Sequence, residues 1–264
     1  MLLLLASAVS SSAAAQQMDG SLRSQALAGA IDLMCFSPLD VQRNPALRGE
    51  RRWAVAVDWT RLYGMGDFEL ATGGGSYGNG SWSLSFVVQQ LAGGDYFWER
   101  SYLAALSRRI AKELAVGVGF NYLDLQFGEG YRRLNAMAVS AGIRYQVRSG
   151  RVVAFAWRNL NRPRYENGLD PIGREADLSV TWQLSPLIAV CLNQCLIESL
   201  PDRFSAGQVF RLAPELSLQM GIVTAPTDFA GGISLKLAGI EFEYAYRNSL
   251  YLGGTHFVGV LYVR

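Results

Sequence analysis

The sequence predicts an all-β protein: a transmembrane antiparallel β-barrel of about fourteen strands, with an N-terminal plug or hatch segment in its lumen. Three observations predict it. Alternating apolar and polar residues recur from Trp53 to the last residue. Half of the 264 residues are hydrophobic while only 17% are charged. After the N-terminus no run approaches the roughly 18 unbroken apolar residues of a membrane helix. A soluble all-β domain usually carries more surface charge. Positive mean hydropathy without an apolar helix fits a barrel whose lipid-facing residues are diluted by lumen-facing ones.

Residues 1–15 read as a signal peptide: an apolar run from Leu2 to Ala8, three serines, and small Ala13 and Ala15 ahead of Gln16, although no Lys or Arg precedes Leu2. Residues 16–51 differ from the rest of the chain and form the expected plug. Ala26, Leu27, Ala30 and Ile31 suggest one or two helical turns, and Asn44-Pro45-Ala46 turns the chain towards the first strand.

Residues 52–264 form the expected outer-membrane barrel. Strands are placed at 52–63, 68–77, 81–92, 99–109, 114–127, 133–147, 151–159, 174–184, 187–198, 203–211, 215–223, 228–237, 240–247 and 252–263. Connections alternate between tight turns such as Ser149-Gly150 and Ala238-Gly239 and longer ones, the longest running from Leu160 to Gly173. Outer-membrane barrels keep short turns on the periplasmic side. An even strand count then puts both chain ends there, in a bacterial outer membrane and in contact with lipid and lipopolysaccharide.

The alternation assigns faces. Trp53, Val55, Val57 and Trp59 point outward, as do Trp82, Leu84, Phe86 and Val88, Val116, Val118 and Phe120, and the set Ile240, Phe242, Tyr244 and Tyr246. The intervening residues are small or polar: Ala54, Ala56 and Asp58; Ser83 and Ser85; Gly117, Gly119 and Asn121. Trp53, Tyr63, Tyr96, Trp98, Tyr102, Trp182, Tyr246 and Tyr251 lie near strand ends, as interfacial girdles require. A two-residue turn at Ala238-Gly239 sets Lys236 opposite Glu241 and Ser234 opposite Glu243, all facing the lumen, with Lys236 and Glu241 as an expected ion pair.

Cofactor and catalytic chemistry is not indicated. His256 is the single histidine, so a multi-histidine metal site is excluded, and Thr255-His256 reads as a structural pair rather than part of a hydrolase triad. Gly73-Gly74-Gly75 lacks the Gly-Lys-Ser/Thr ending of a phosphate loop and marks a bend or a close approach by the plug. Arg162, Arg164 and Arg174 make the longest connection basic, and a net charge of +2 gives no reason to expect nucleic acid. Cys191 and Cys195, about 13 Å apart along one strand, cannot bond each other; Cys35 can pair with either of them if its segment folds inside the barrel, and otherwise all three read as unpaired buried thiols. Fourteen strands leave a lumen wide enough to need filling, and 16–51 is the candidate filler.

Ala26-Leu27-Ala28-Gly29-Ala30 followed by the hatch motif Asn44-Pro45-Ala46 resembles the N-terminal region of FadL-type outer-membrane transporters and of the related PorV/PorQ family. The run from Ser101 to Arg109 leading into Leu114-Ala115-Val116-Gly117-Val118-Gly119 is similar to a PorV-type hairpin. Tyr244-Ala245-Tyr246, with Thr255, His256 and Gly259 after it, resembles that family's C-terminal motif. The likeness spans nearly the whole mature chain. It implies a non-enzymatic barrel acting as an accessory or partner in protein export of the type IX secretion kind, or in cell-surface assembly, with secretion-machinery or periplasmic proteins as partners. The alternative it implies is a FadL-like transporter of hydrophobic small molecules, with a hydrophobic ligand. The large extracellular loops of the fatty-acid transporters are here short and polar.

Overall fold

The computed structural model describes residues 18–49, 53–128, 133–165, 171–250 and 252–264. The expected signal peptide and Tyr251 lie outside these residues. Fourteen strands are described. They are β1 (Trp53–Arg61), β2 (Phe68–Gly78), β3 (Trp82–Gly93), β4 (Phe97–Arg109), β5 (Leu114–Phe127), β6 (Leu134–Arg148) and β7 (Arg151–Arg158). The second half comprises β8 (Glu175–Gln183), β9 (Ile188–Ile197), β10 (Arg203–Arg211), β11 (Leu216–Val223), β12 (Asp228–Leu237), β13 (Ile240–Ser249) and β14 (Gly253–Val263). Each pairs antiparallel with its neighbours in sequence, and β1 pairs with β14, so the sheet closes into a barrel with no free edge. β4 starts earlier and β13 ends later than the alternation predicts. In both cases the partner strand continues the ladder, through Phe97 opposite Phe127 and Ser249 opposite Gly253.

The two faces of the wall differ in the sense the alternation predicts. In β1, Trp53 and Val57 are 54% and 58% exposed while Ala54 and Ala56 between them are buried. Leu84 and Phe86, Val118 and Phe120, and Phe242, Tyr244 and Tyr246 likewise face outward, whereas Ser83, Ser85, Ser234 and Glu243 are buried inside. Trp53, Trp182, Tyr96 and Tyr246 are exposed near strand ends. Tyr63 departs from the expected girdle: it follows β1 with a positive φ of 55°, donates its N–H to Thr255 Oγ1 at 3.0 Å, and packs inward against Leu62, Leu70 and Phe257.

The N-terminal segment, 18–49, packs against the inward faces of the strands. It contains one helical turn, α1 (Leu22–Ala26), entered through Ser21, and a short 3-10 helix (Pro38–Gln42) with proline at its start. Its first described residue, Met18, contacts Leu62, Leu70 and Leu91 near the longer connections. Its later part reaches the tight turns, where the Arg48 guanidinium donates to Gly80 O. The expectation placed both chain ends at the short-turn side. The C-terminal residues are there, with Arg264 bonded to Trp53, but the first described residue is at the opposite end because the segment runs the length of the lumen before β1 begins.

Candidate functional site

The segment fits the wall because inward-facing glycines leave hollows for it. A Cβ on Gly117 of β5 would come 2.2 Å from Pro45 O, and one on Gly142 of β6 would come 2.0 Å from Asn44 Oδ1. On the other side of the lumen, a Cβ on Gly221 of β11 would lie 2.4 Å from Leu27 O, and on Gly232 of β12 2.6 Å from the Ala26 Cβ. Real carbon contacts stay well beyond these distances. Gly74 of β2 plays the same part for Leu39, whose Cδ2 would be 3.0 Å from an added Cβ; this is the close approach expected at Gly73-Gly74-Gly75.

Asn44, Pro45 and Ala46 form the turn seated over Gly117 and Gly142. The Leu47 N–H donates to Asn44 O at 3.0 Å, closing a four-residue turn with proline at its second position. Asn44 Oδ1 accepts from the Ala46 N–H at 2.8 Å. Its amide Nδ2 donates outward to Ile143 O at 3.3 Å and Phe155 O at 3.2 Å, tying the turn to β6 and β7. Leu47 then packs with Leu33, Ile31 and Val152.

Two ionic clusters fasten the segment elsewhere. Arg23 of α1 bonds Glu241 and, at 2.9 Å, Glu243, both on β13. Lys236 does stand opposite Glu241 in the β12–β13 register, and Ser234 opposite Glu243. The cation bonded to Glu241 is nevertheless Arg23, since α1 packs against the inner face of this paired wall and delivers a guanidinium that reaches both carboxylates. In the second cluster Arg158 of β7 bonds Glu175, Asp177 at 3.0 Å and, from the segment, Asp19 at 2.7 Å. Arg43 of the segment bonds Asp177 at 2.7 Å and donates to Gly29 O at 3.0 Å. Ligating atoms of Glu175, Asp177 and Cys195 lie within 4.8 Å of one another, but the two arginines already bond these carboxylates, leaving no need for a metal. All three cysteines are free thiols. Burial, and next the charge of Asp32, push the Cys35 thiol up to about 11.

The lumen has an apolar and a polar end. At the tight-turn end two hollows of about 340 and 440 Å³ share Arg23, Asp32, Cys35, Lys236 and Glu241 in their walls. At the long-connection end the interior is apolar. Met18, Leu62, Leu70, Leu91 and Phe257 form one cluster; Leu123, Leu125, Leu134, Tyr165 and Ile172 form another, and Phe97 touches both. Tyr165 and Ile172 come from the described parts of the connection between β7 and β8, on either side of 166–170. Burial, and next the neighbouring charges of Glu99 and Asp124, raise the Tyr165 phenol above its ordinary pKa. Just beneath this collar lies a polar cavity of about 40 Å³ lined by Asp19, Gln89, Glu99, Asn121, Arg158 and Glu175.

The C-terminal motif residues separate. Thr255 is buried inside and accepts from Tyr63; His256 faces outward, with Nδ1 2.7 Å from the Tyr244 hydroxyl; Gly259 faces inward, where a Cβ would be 2.2 Å from Asp58 Oδ1. Asp58 in turn accepts the Leu22 N–H at 2.7 Å. In the basic connection, Arg162 bonds Glu198, and the Arg174 N–H donates to the same carboxylate at 3.2 Å.

No family model matches the chain, and no curated protein sequence does. Solved structures match its fold. The CymD monoaromatic hydrocarbon channel superposes with a TM-score of 0.68 over 94% of this chain and 98% of its own, at 9% identity. The toluene transporter TodX of Pseudomonas putida gives 0.68 over 94% and 99%, also at 9% identity. A FadL homologue of Pseudomonas aeruginosa gives 0.63 over 92% and 95%, at 10% identity. At such identities the likeness is one of fold.

Proposed function

We propose that this chain is a FadL-like barrel of the bacterial outer membrane that admits small hydrophobic molecules, with residues 18–49 as its hatch. The observation that carries the reading is the apolar collar inside the long-connection end, from Met18, Leu62 and Leu91 round to Leu123 and Leu134. A barrel for polar solutes has a polar lumen; here the mouth on the loop side is lined as a site for an apolar ligand would be. The outward rows of Trp, Phe, Leu and Val form an apolar belt far larger than the patches of soluble monomers, and lipid is its natural solvent. The longer connections then face outside the cell and the tight turns the periplasm. Two of the three similar structures, a hydrocarbon channel and a toluene transporter by their names, support a hydrophobic cargo over protein export.

The test is uptake of radiolabelled toluene by cells lacking their own hydrocarbon channels. Expression of the chain should raise the initial rate over vector alone, with no gain for a disaccharide of larger size. Equal rates with and without the protein refute the reading.

The second reading is a PorV/PorQ-like export partner, with secretion-machinery subunits bound to it. One observation favours it: within the segment that resembles that family, His256 bonds the Tyr244 hydroxyl and packs its ring against Tyr246, an exposed group on the outer wall where a membrane-embedded partner would meet it. Recovery of secretion subunits with the purified barrel, lost on His256→Ala, is its test.

A further inference from the structure

We propose that the cavity beneath the apolar collar, between the N-terminal segment and β3–β8, takes the hydrogen-bond-donating end of a small, otherwise apolar solute: a phenol or a primary arylalkylamine. The inference rests on the transport reading and names the substrate class for it.

Glu99 is 7% exposed, lines this cavity, and has one carboxylate oxygen, Oε2, that meets no hydrogen-bond partner among the described residues. Asn121 Oδ1, in the same wall, is likewise buried and unpartnered. Asn121 Oδ1 is an acceptor, as is Glu99 Oε2 in the ionised carboxyl, so the group that completes either of them is a donor. Buried acceptors without donors are costly, which makes the site selective: a site built to bond a donor discriminates strongly against the analogue lacking it.

Charge narrows the choice further. Asp19, Glu99 and Glu175 line the cavity against one base, Arg158, whose terminal nitrogens are engaged by Asp19, Glu175 and Asp177. A solute ending in a carboxylate, such as a fatty acid, would bring a further negative charge to an acidic site. A hydroxyl suits it, and an ammonium suits it better.

Size and position fix the orientation. A water molecule needs about 10–15 Å³ of such space, so about 40 Å³ accommodates a few heavy atoms, a head group rather than a whole aromatic solute. Leu103 and Leu123 form the apolar part of the same wall, and Leu123 also belongs to the collar cluster with Tyr165 and Ile172. The donor end therefore sits low, against Glu99 and Asn121, and the hydrocarbon part lies among the collar side chains.

The full chain in detergent, titrated calorimetrically with toluene, phenol, benzylamine and benzoate, tests this. Phenol and benzylamine should bind about tenfold more tightly than toluene, and benzoate least tightly. Glu99→Leu should abolish that preference by weakening phenol and benzylamine binding about tenfold. Asn121→Leu should reduce it, and Glu99→Gln should retain the phenol preference and lose that for the amine; heat-modifiable migration on gels reports whether each variant forms the barrel. Toluene binding as tightly as benzylamine to the wild type, a preference undiminished in Asn121→Leu, or a benzylamine preference that persists in Glu99→Gln overturns the proposal while leaving the transport reading in place. Failure of all four probes to bind overturns both.

Discussion

Substituting Gly117 by alanine directly probes how the segment is seated. The added methyl would lie 2.2 Å from Pro45 O and 2.6 Å from the Ala46 N. Ordinary contact needs about 1 Å more. β5 is hydrogen-bonded to β4 and β6 along its length, so the wall resists and the Asn44–Leu47 turn has to yield. Overpacking of this kind costs about 1–3 kcal/mol, which multiplies the population with a displaced turn roughly 5- to 150-fold. Leu47 shares a cluster with Leu33 and Met34, so displacement loosens the chain next to Cys35. In the native protein the Cys35 thiol, raised to about 11, is almost wholly protonated at pH 7.5. A free thiol near pH 8.5 carries several hundred times more thiolate there, by a rough estimate. Gly117→Ala should therefore accelerate maleimide labelling of Cys35 by at least about fivefold, read by mass spectrometry, with the barrel still heat-modifiable. Labelling at the native rate in a folded barrel would refute the claim that Gly117 is there to receive Pro45.

The same contacts carry three further expected outcomes. Arg23→Met strips both Glu241 and Glu243 of their cation and should destabilise the segment by about 3–5 kcal/mol, as local hydrogen-exchange protection over 20–30; adding Glu243→Gln should recover part of that. Asn44→Ala removes the two bonds to Ile143 O and Phe155 O and should cost about 1–3 kcal/mol of the same protection near the turn, without altering barrel migration on gels. Glu198 is held below the ordinary glutamate range by the Arg162 side chain and then by the Arg174 N–H. Because its folded pKa is depressed, the tie between the two connections is fully present above the ordinary value and is released as pH falls through the lowered one. A carboxyl carbon titration should show this midpoint below that of a free glutamate, and an ordinary midpoint would mean the bond to Arg162 does not persist in solution.

The wall was legible in the sequence because a strand's face is a local property. Trp53 to Trp59 alternate with Ala54, Ala56 and Asp58, and nothing distant is needed to orient them. The last register was equally local: two turn residues at Ala238-Gly239 suffice to set Lys236 against Glu241. The partner of Glu241 was not local. Arg23 is 218 positions away, and no pattern in either segment names the other. The same holds for Arg158 with Asp19 and for Arg43 with Asp177. Gly117 was readable as small and inward, but that it receives Pro45 depends on the path of the segment. Glu99 gave no sequence signal either. It sits in a strand where polar residues face inward as a rule, and what marks it is an unpartnered carboxylate oxygen in the wall of a cavity.

The distribution of these ties along the segment decides how a solute could pass it. Withdrawing residues 18–49 entirely would strand Glu241 and Glu243 without Arg23, and Asp177 without Arg43, inside the barrel. Each broken buried pair costs about 3–5 kcal/mol. Two such costs together, about 6–10 kcal/mol, hold the fully open barrel to roughly one part in 25,000 or less. The turn at Asn44–Leu47 is held differently, by neutral hydrogen bonds worth about 1 kcal/mol each and by fit over Gly117 and Gly142. A shift confined to that turn leaves both ionic clusters intact and loosens the wall of the hollow that Leu47 and Arg48 share with Arg23 at the tight-turn end. On the transport reading, then, the ionic clusters are the fixed hinge of the hatch and the Asn44-Pro45-Ala46 turn is its moving edge. Substitutions at Arg23 or Arg43 should impair retention of the whole segment, whereas those at Gly117 or Asn44 should change the rate of passage while the segment stays in place.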